Sequence, residues 1–321
     1  MTPEDKQRIL QWHSEIPGDG LRIRLIPSES PELKPLKQFC NKLIELAPEI
    51  NLKKDEPDSG PSPGIRIADN ITYQAVPSDQ ELAPFLSALA GPGDPIDTTT
   101  AETVSKLQAP ALIDIFVAPQ CPFCPNVVTK LLALAHTCPL IHVNIIDDGT
   151  LFSELAGNAQ IRSVPTVILD DEFRWTGAVQ LGEIVDMMLN RDPARLGADT
   201  LLKMLQDGSA GRLGQMMIEY GQIFPAFLDL VGHPKWSIRL GAMVAFEYIA
   251  ESDPQLTGHA VTMLLDRFWD FDEQARGDVL HLIGESGYTP ARDRILEFAK
   301  QDLSEEIREA AEEALANLKR G

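Results

Sequence analysis

The sequence predicts an α/β chain that turns all-α, with two successive α/β units followed by a solenoid of helix pairs. Three observations carry that prediction. Residues 1 to about 90 and about 99 to 192 run through the same order of helices and strands. In the second of these, Ala111–Val117 is a nearly continuous apolar run of strand length, the pattern of a strand buried on both faces. From about residue 198 only helical patterning remains, and arginines recur at positions 212, 239, 276 and 308. That spacing is near the period of paired-helix repeats, in which each pair buries its apolar face on the next. The expected domains are therefore 1–95, 96–195 and 196–321.

In the first unit the patterning predicts helices over 3–14, 32–46 and 80–90 and strands over 21–26 and 50–54. A Pro/Gly/Ser-rich loop over 57–64 follows, then a hairpin of 65–67 and 71–75 turning at Asp69-Asn70. Gly91-Pro92-Gly93-Asp94-Pro95 reads as the first joint.

The second unit begins with a helix over 100–108 and the strand at 111–117. A Cys-x-x-Cys sequence then opens a helix running to about 136, with Pro122 and Pro125 both in its first turn, where a missing N–H leaves few helix bonds unmade. A buried strand over 140–146, a short helix over 151–157, a hairpin of 164–169 and 172–175, and a helix over 181–190 complete it. A weaker joint runs from Asn190 to Gly197.

The third segment holds four small-residue helical stretches at 210–218, 237–245, 274–282 and 306–314. Its last helix, 304–319, is studded with glutamates, as suits a polar terminal cap. Trp236, Trp269, Phe268 and Phe271 are candidates for either an interface or the core between repeats.

The chemistry concentrates at Cys121-Pro122-Phe123-Cys124. Two thiols three residues apart, after a buried strand and at a helix N-terminus, can close a reversible disulfide. The partial positive charge and free N–H groups there stabilise a thiolate. Cys121 is the expected attacking sulfur and Cys124 the resolving one. Pro122 and Phe123, between the sulfurs, are expected to touch substrate. Cys-x-x-Cys is also half of many zinc sites, but such a site needs two further ligands at similar spacing. Cys40 and Cys138 are isolated, so no metal and no bound cofactor is expected beyond the disulfide itself. Both isolated cysteines read as core residues. Ser163-Val164-Pro165-Thr166 downstream predicts a cis bond before Pro165, beside the sulfurs, with the Val164 backbone free to pair with an extended substrate.

Residues 99–192 resemble a thioredoxin-fold unit of the glutaredoxin-like group. The matching residues are Cys121 to Pro125 with Val127-Val128, Asp147-Asp148-Gly149 leading to Phe152 and Glu154, Ile161 to Val167, and Gly177. The two α/β units together resemble the tandem pair of archaeal protein disulfide oxidoreductases and of the N-terminal domain of the alkyl hydroperoxide reductase flavoprotein subunit. The helical segment resembles HEAT-type repeats. The resemblance implies dithiol–disulfide exchange by Cys121 and Cys124 with Pro165 beside them. It also implies that an acid on the preceding strand, here Asp114, assists the resolving thiol. The first unit has Ser28-Glu29-Ser30-Pro31 where the cysteine pair would fall, so it should be redox-inactive.

Net charge is −20, from 28 Lys and Arg against 48 Asp and Glu. A phosphate backbone is repelled by such a chain, so nucleic acid is not an expected partner. No apolar run is long enough to span a bilayer, and residues 1–15 lack the basic-then-apolar pattern of a signal peptide. A cytoplasmic location is the expectation. The reading is a reductase of disulfides in a partner protein, with a second protein partner on the repeats. Since no Gly-x-Gly-x-x-Gly follows a strand, electrons are expected from a separate flavin-dependent disulfide reductase. The alternative is a non-enzymatic scaffold whose helical repeats bind a partner under redox control of the cysteine pair.

Overall fold

In a computed structural model, the chain is described over residues 1–16, 20–55, 62–91, 96–148, 152–301 and 304–318. Residues 57–61 of the proline-rich loop, 92–95 of the first joint, Gly149, Leu151 and Lys319 lie outside these spans. The chain divides into two compact units, 1–190 and 191–321.

The first unit is built on one eight-stranded sheet. Its first half contains α1 (Pro3–Glu15), β1 (Arg22–Ile26), α2 (Leu33–Leu46), β2 (Asn51–Lys54), β3 (Gly64–Ala68), β4 (Ile71–Gln74) and α3 (Leu82–Ala90). The second half contains α4 (Thr98–Val104), β5 (Ala111–Val117), α5 (Cys124–Thr137), β6 (Ile141–Asp147), α6 (Ser153–Asn158), β7 (Thr166–Leu169), β8 (Phe173–Thr176) and α7 (Leu181–Asn190). The strand order is β2-β1-β3-β4-β6-β5-β7-β8. In each half the first strand lies between a parallel second strand and an antiparallel third, and the fourth pairs antiparallel with the third.

The halves are joined by parallel pairing of β4 with β6, Ile71 opposite Val143 and Tyr73 opposite Ile145. Asn70, in the β3–β4 turn, reinforces the joint: its side-chain amide donates to the carbonyls of Ala135 and Ile141, both at 2.8 Å. Helix α3 packs on α5 across the same joint. Behind α3, the Phe85 ring meets Phe39 and Tyr73 edge to face, with centroids 5.5 and 5.1 Å apart. Each such pair contributes about 0.5–1.5 kcal/mol beyond its buried area.

Among the boundaries that differ from expectation, two flank the cysteine strand. Helix α4 starts at Thr98 rather than residue 100, because the Asp97 side chain accepts from the Thr100 N–H and caps the helix earlier, and it ends at Val104. Helix α5 starts at Cys124, so Cys121 and Pro122 lie outside its first turn. The chain first makes a separate turn, closed by the Cys121 N–H on the Ala118 carbonyl at 3.0 Å, and Phe123 takes the N-cap position.

The second unit is helical throughout its described residues: α8 (Ala198–Gln206), α9 (Ala210–Tyr220), α10 (Pro225–Val231), α11 (Trp236–Ser252), α12 (Pro254–Asp266), α13 (Glu273–Glu285), α14 (Arg292–Phe298) and α15 (Glu305–Asn317). Helix α9 packs on α11 and α13 on α15. Small residues let these backbones approach closely. A Cβ on Gly214 would meet the Ala245 carbonyl oxygen at 2.8 Å, and one on Gly284 the Ala314 Cα at 2.9 Å. The recurring arginines do not share one environment. Arg239 is buried, its Nε 2.6 Å from Asp278 Oδ2 and its Nη1 on the carbonyls of His233 and Pro234. Arg276 instead lies over the Trp269 ring, and Arg212 pairs with Glu219 at the surface. Phe268 and Phe271 are core residues, while Trp236 and Trp269 remain exposed. In α15, Glu305, Glu306, Glu309, Glu312 and Glu313 all face solvent.

Candidate functional site

The site grows from the end of β5, whose apolar side chains hold it in the middle of the second half between β6 and β7. The chain leaves the sheet at Val117, turns through Ala118 to Gln120, and delivers Cys121 to the mouth of α5. Cys121 and Cys124 are joined by a disulfide, their Cα atoms 5.5 Å apart. Cys124 is fully buried, Cys121 is 7% exposed, and Phe123 between them is 71% exposed. Only the first sulfur is placed for an incoming partner.

The backbone N–H of Cys124 points at the Cys121 Sγ, 3.1 Å away. A free helix N–H aimed at that sulfur, with the positive end of the helix dipole behind it, favours the thiolate once the pair is reduced. Pro125 lies in the first turn and removes no helix bond. The Val164 carbonyl oxygen lies 3.8 Å from the same Sγ, and the Val164–Pro165 bond is cis, as the motif predicts. The Pro165 carbonyl accepts from the Gly177 N–H at 2.8 Å, where Gly177 has a φ of 83° that favours glycine. Thr166 Oγ1 donates to the Ser163 carbonyl at 2.7 Å, so both sides of the proline are tied down.

Cys121, Cys124, Pro122, Phe123, Val164 and Pro165 thus gather around one sulfur. Asp114 sits mid-strand on β5, half-buried, in register with Asn144 on one side and Ile168 on the other. It shares a sheet face with Leu112 and Phe116. Asn144 in turn donates to Gln74 Oε1 at 2.7 Å, so a polar row crosses from the second half into the first. The backbone N–H of Asp148 donates to the Val117 carbonyl, and the pKa of its carboxyl is raised above its ordinary range by burial and then by the neighbouring Asp147 charge.

Glu81 is the residue that sequence reasoning missed. It precedes α3 but makes no side-chain cap; it is 2% exposed, and neither carboxylate oxygen has a hydrogen-bond partner. Burial pushes its pKa up to about 7. The Tyr73 hydroxyl is likewise buried without a partner, and its pKa is raised by burial and then by the Glu81 charge. Gln80, next to Glu81, lines a cleft shared with Pro122 and Pro125. An acid at a helix start ordinarily looks like a solvated cap, so nothing local in the sequence marks this one.

The other two cysteines are buried free thiols; burial pushes the Cys40 pKa up to about 12, and the Cys138 Sγ lies 3.6 Å from the Val104 carbonyl. In the first half, Ser28 to Pro31 fill the β1–α2 connection without a thiol. Among the described residues no three His, Cys, Asp or Glu side chains gather as a metal site.

Residues 111–190 match the family described as a thioredoxin domain. The chain carries a thioredoxin-like domain. Beyond that match, the chain is 24% identical over 189 residues to a NADH dehydrogenase of Bacillus subtilis, covering 57% of this chain and 37% of that protein. It is 28% identical over 167 residues to the F subunit of alkyl hydroperoxide reductase in Pseudomonas aeruginosa, covering 49% and 31%. The chain therefore spans about a third of the length of these curated relatives. Among solved structures, a protein disulfide oxidoreductase from Aeropyrum pernix shares the fold, with a TM-score of 0.50 and 14% identity over 58% of this chain and 91% of that one. The N-terminal domain of the alkylhydroperoxide reductase AhpF of Enterococcus faecalis is similar at a TM-score of 0.49, with 22% identity over 59% of this chain and 100% of that one. The thioredoxin-like domain and its close cysteine pair mark a thiol–disulfide redox protein. No described helix is long and apolar enough to cross a membrane.

Proposed function

We propose that the chain reduces a disulfide in a partner protein through the Cys121–Cys124 pair. The observation that carries this reading is the Cys124 N–H aimed at a barely exposed Cys121 sulfur. In the reduced protein the Cys121 thiolate attacks one sulfur of the target disulfide, and the other leaves as a thiolate that takes up a proton. Cys124 then loses its proton and attacks the Cys121 sulfur of the mixed disulfide, releasing the second target thiol. Two electrons and two protons reach the target, and the Cys121–Cys124 disulfide returns. Asp114, on the strand that leads into the pair, is the acid we assign to take the Cys124 proton. Pro122, Phe123 and the Val164 backbone contact the target, with Pro165 beside them.

We read residues 1–95 and 96–195 as tandem thioredoxin-like units, the first redox-inactive, and 196–321 as HEAT-like repeats. The repeated strand order supports the first assignment, and the alternating helices with glycine-lined crossings support the second. A separate flavin-dependent disulfide reductase recycles the pair in the cytoplasm. A protein partner docks on the repeats, along the exposed stripe of Trp236, Leu240 and Val244 on α11.

Insulin reduction with a dithiol donor tests the core of this reading. Cys121→Ser should lose turnover altogether, while Cys124→Ser should accumulate a mixed disulfide that mass spectrometry detects. Full activity in Cys121→Ser would sink the assignment. Trp236→Ser should leave insulin reduction intact and weaken capture of the repeat partner; unchanged capture would remove the partner from that stripe.

A further inference from the structure

The cleft beside the cysteine pair has a shape and a charge that the exchange chemistry does not use. It lies between α3 of the first half and α5 of the second, with a volume of about 690 Å³. Its floor and walls include Ala83 and Ser87 from α3, Pro122, Asn126 and Lys130 from the α5 side, and Leu181. Pro125, Asn126, Thr129 and Ala133 share one face of α5 and Pro122 lies just ahead of it, so the cleft begins between the two sulfurs and runs along the helix. At about 1.5 Å per residue that face is about 12 Å long from Pro125 to Ala133, room for about four residues of extended chain at about 3.3 Å each.

The lining mixes apolar side chains with Gln80, Asn126 and Thr129, groups able to meet the N–H and C=O of an extended backbone. Two charged side chains line it, and they are not equivalent. The Asp97 carboxylate is occupied as the cap of α4, accepting from the Thr100 N–H at 2.9 Å and the Thr100 hydroxyl at 2.6 Å. Lys130 is exposed and has no ion-pair partner among the described residues. The Asp97 charge is held by its helix cap, whereas the Lys130 ammonium, without a partner among the described residues, stands ready for an incoming carboxylate in a cleft that opens on the redox pair.

We propose that this cleft receives an extended segment of the target polypeptide next to its disulfide, and that Lys130 holds a carboxylate of that segment. The proposal rests on the reductase reading above and names the substrate class it implies: disulfides flanked by acidic sequence. The segment docks along α5 while its cystine reaches Cys121 at the helix mouth. Lys130 and Ala83 are positioning residues; neither touches the reacting sulfurs.

The test uses the full chain, pre-reduced, in single turnovers. Oxidation of the pair is followed against a synthetic disulfide-closed peptide with glutamates flanking its cysteines, against the same peptide with lysines, and against bis(2-hydroxyethyl) disulfide, which is uncharged and too small to fill the cleft. The half-saturating concentration of the glutamate peptide should rise at least five-fold in Ala83→Trp, which fills the cleft, and in Lys130→Glu. Lys130→Glu should also reverse the preference in favour of the lysine peptide. The hydroxyethyl disulfide rate should stay within two-fold of wild type in both variants, which shows that they fold and exchange. Amidating the peptide's C-terminus separates the sources of the carboxylate: an unchanged half-saturating concentration assigns it to a side chain, a rise to the chain terminus. Glutamate-peptide values within two-fold of wild type in both variants overturn the cleft proposal and leave the reductase reading intact. Failure of wild type on all three disulfides overturns both.

Discussion

The two halves of the first unit share a strand order and differ in what they do with it. In the second half, the connection from its first strand to the following helix carries Cys121 and Cys124. In the first half, the matching connection between β1 and α2 carries Ser28 to Pro31. Yet the first half is not a spectator. It supplies Glu81 next to the cleft, Gln74 at the end of the polar row that starts from Asp114, and Asn70 on the carbonyls of α5 and β6. Repetition of a backbone plan is thus compatible with concentration of the chemistry in one copy, with the other copy shaping its surroundings.

That division of labour can be broken in graded steps. The largest effect belongs to the sulfurs, whose loss should end turnover outright, whereas no change in the first half should do so. Next comes Glu81→Gln. The folded-state pKa of Glu81, about 7, lies above its ordinary value of 4.5. Between those values the folded state therefore holds a proton that the unfolded chain has lost, and stability falls as pH rises through that window. Replacing the carboxyl by an amide should raise unfolding stability at pH 8 by on the order of 3 kcal/mol and change nothing at pH 4. The checks are urea titrations at both values. An equal gain at both would mean the effect is packing rather than titration. The smallest step is Asn70→Ala, which strips a donor from two carbonyls at the joint. A cost of about 1–2 kcal/mol is expected in the urea midpoint, with the insulin reduction rate unchanged below denaturing concentrations.

Much of this architecture was legible in advance. The strands of the second half stood out because both of their faces are covered, which forces continuous apolar runs such as Ala111–Val117. The cysteine pair and the proline at 165 were legible because each is a residue type whose spacing carries its own chemistry. The start of α5 was less so: two prolines within four residues fit the first turn of a helix equally well one residue earlier or three later, and only the turn at Ala118–Cys121 decides between them. The recurring arginines predicted helical repeats, but not that Arg239 alone among Arg212, Arg239, Arg276 and Arg308 would be buried on an aspartate.

What residue order determined by itself was local: which segments are strands or helices, and which thiol leads a helix. Periodicity and helix-end chemistry act within a few residues, so they can be read from a few residues. The burial of Glu81, the row from Asp114 to Gln74 and the cleft that isolates Lys130 were decided only when β4 met β6 and α3 met α5. Each depends on desolvation and juxtaposition across about 40 to 70 positions of chain, and no local pattern encodes a dielectric environment made by a neighbour so far away.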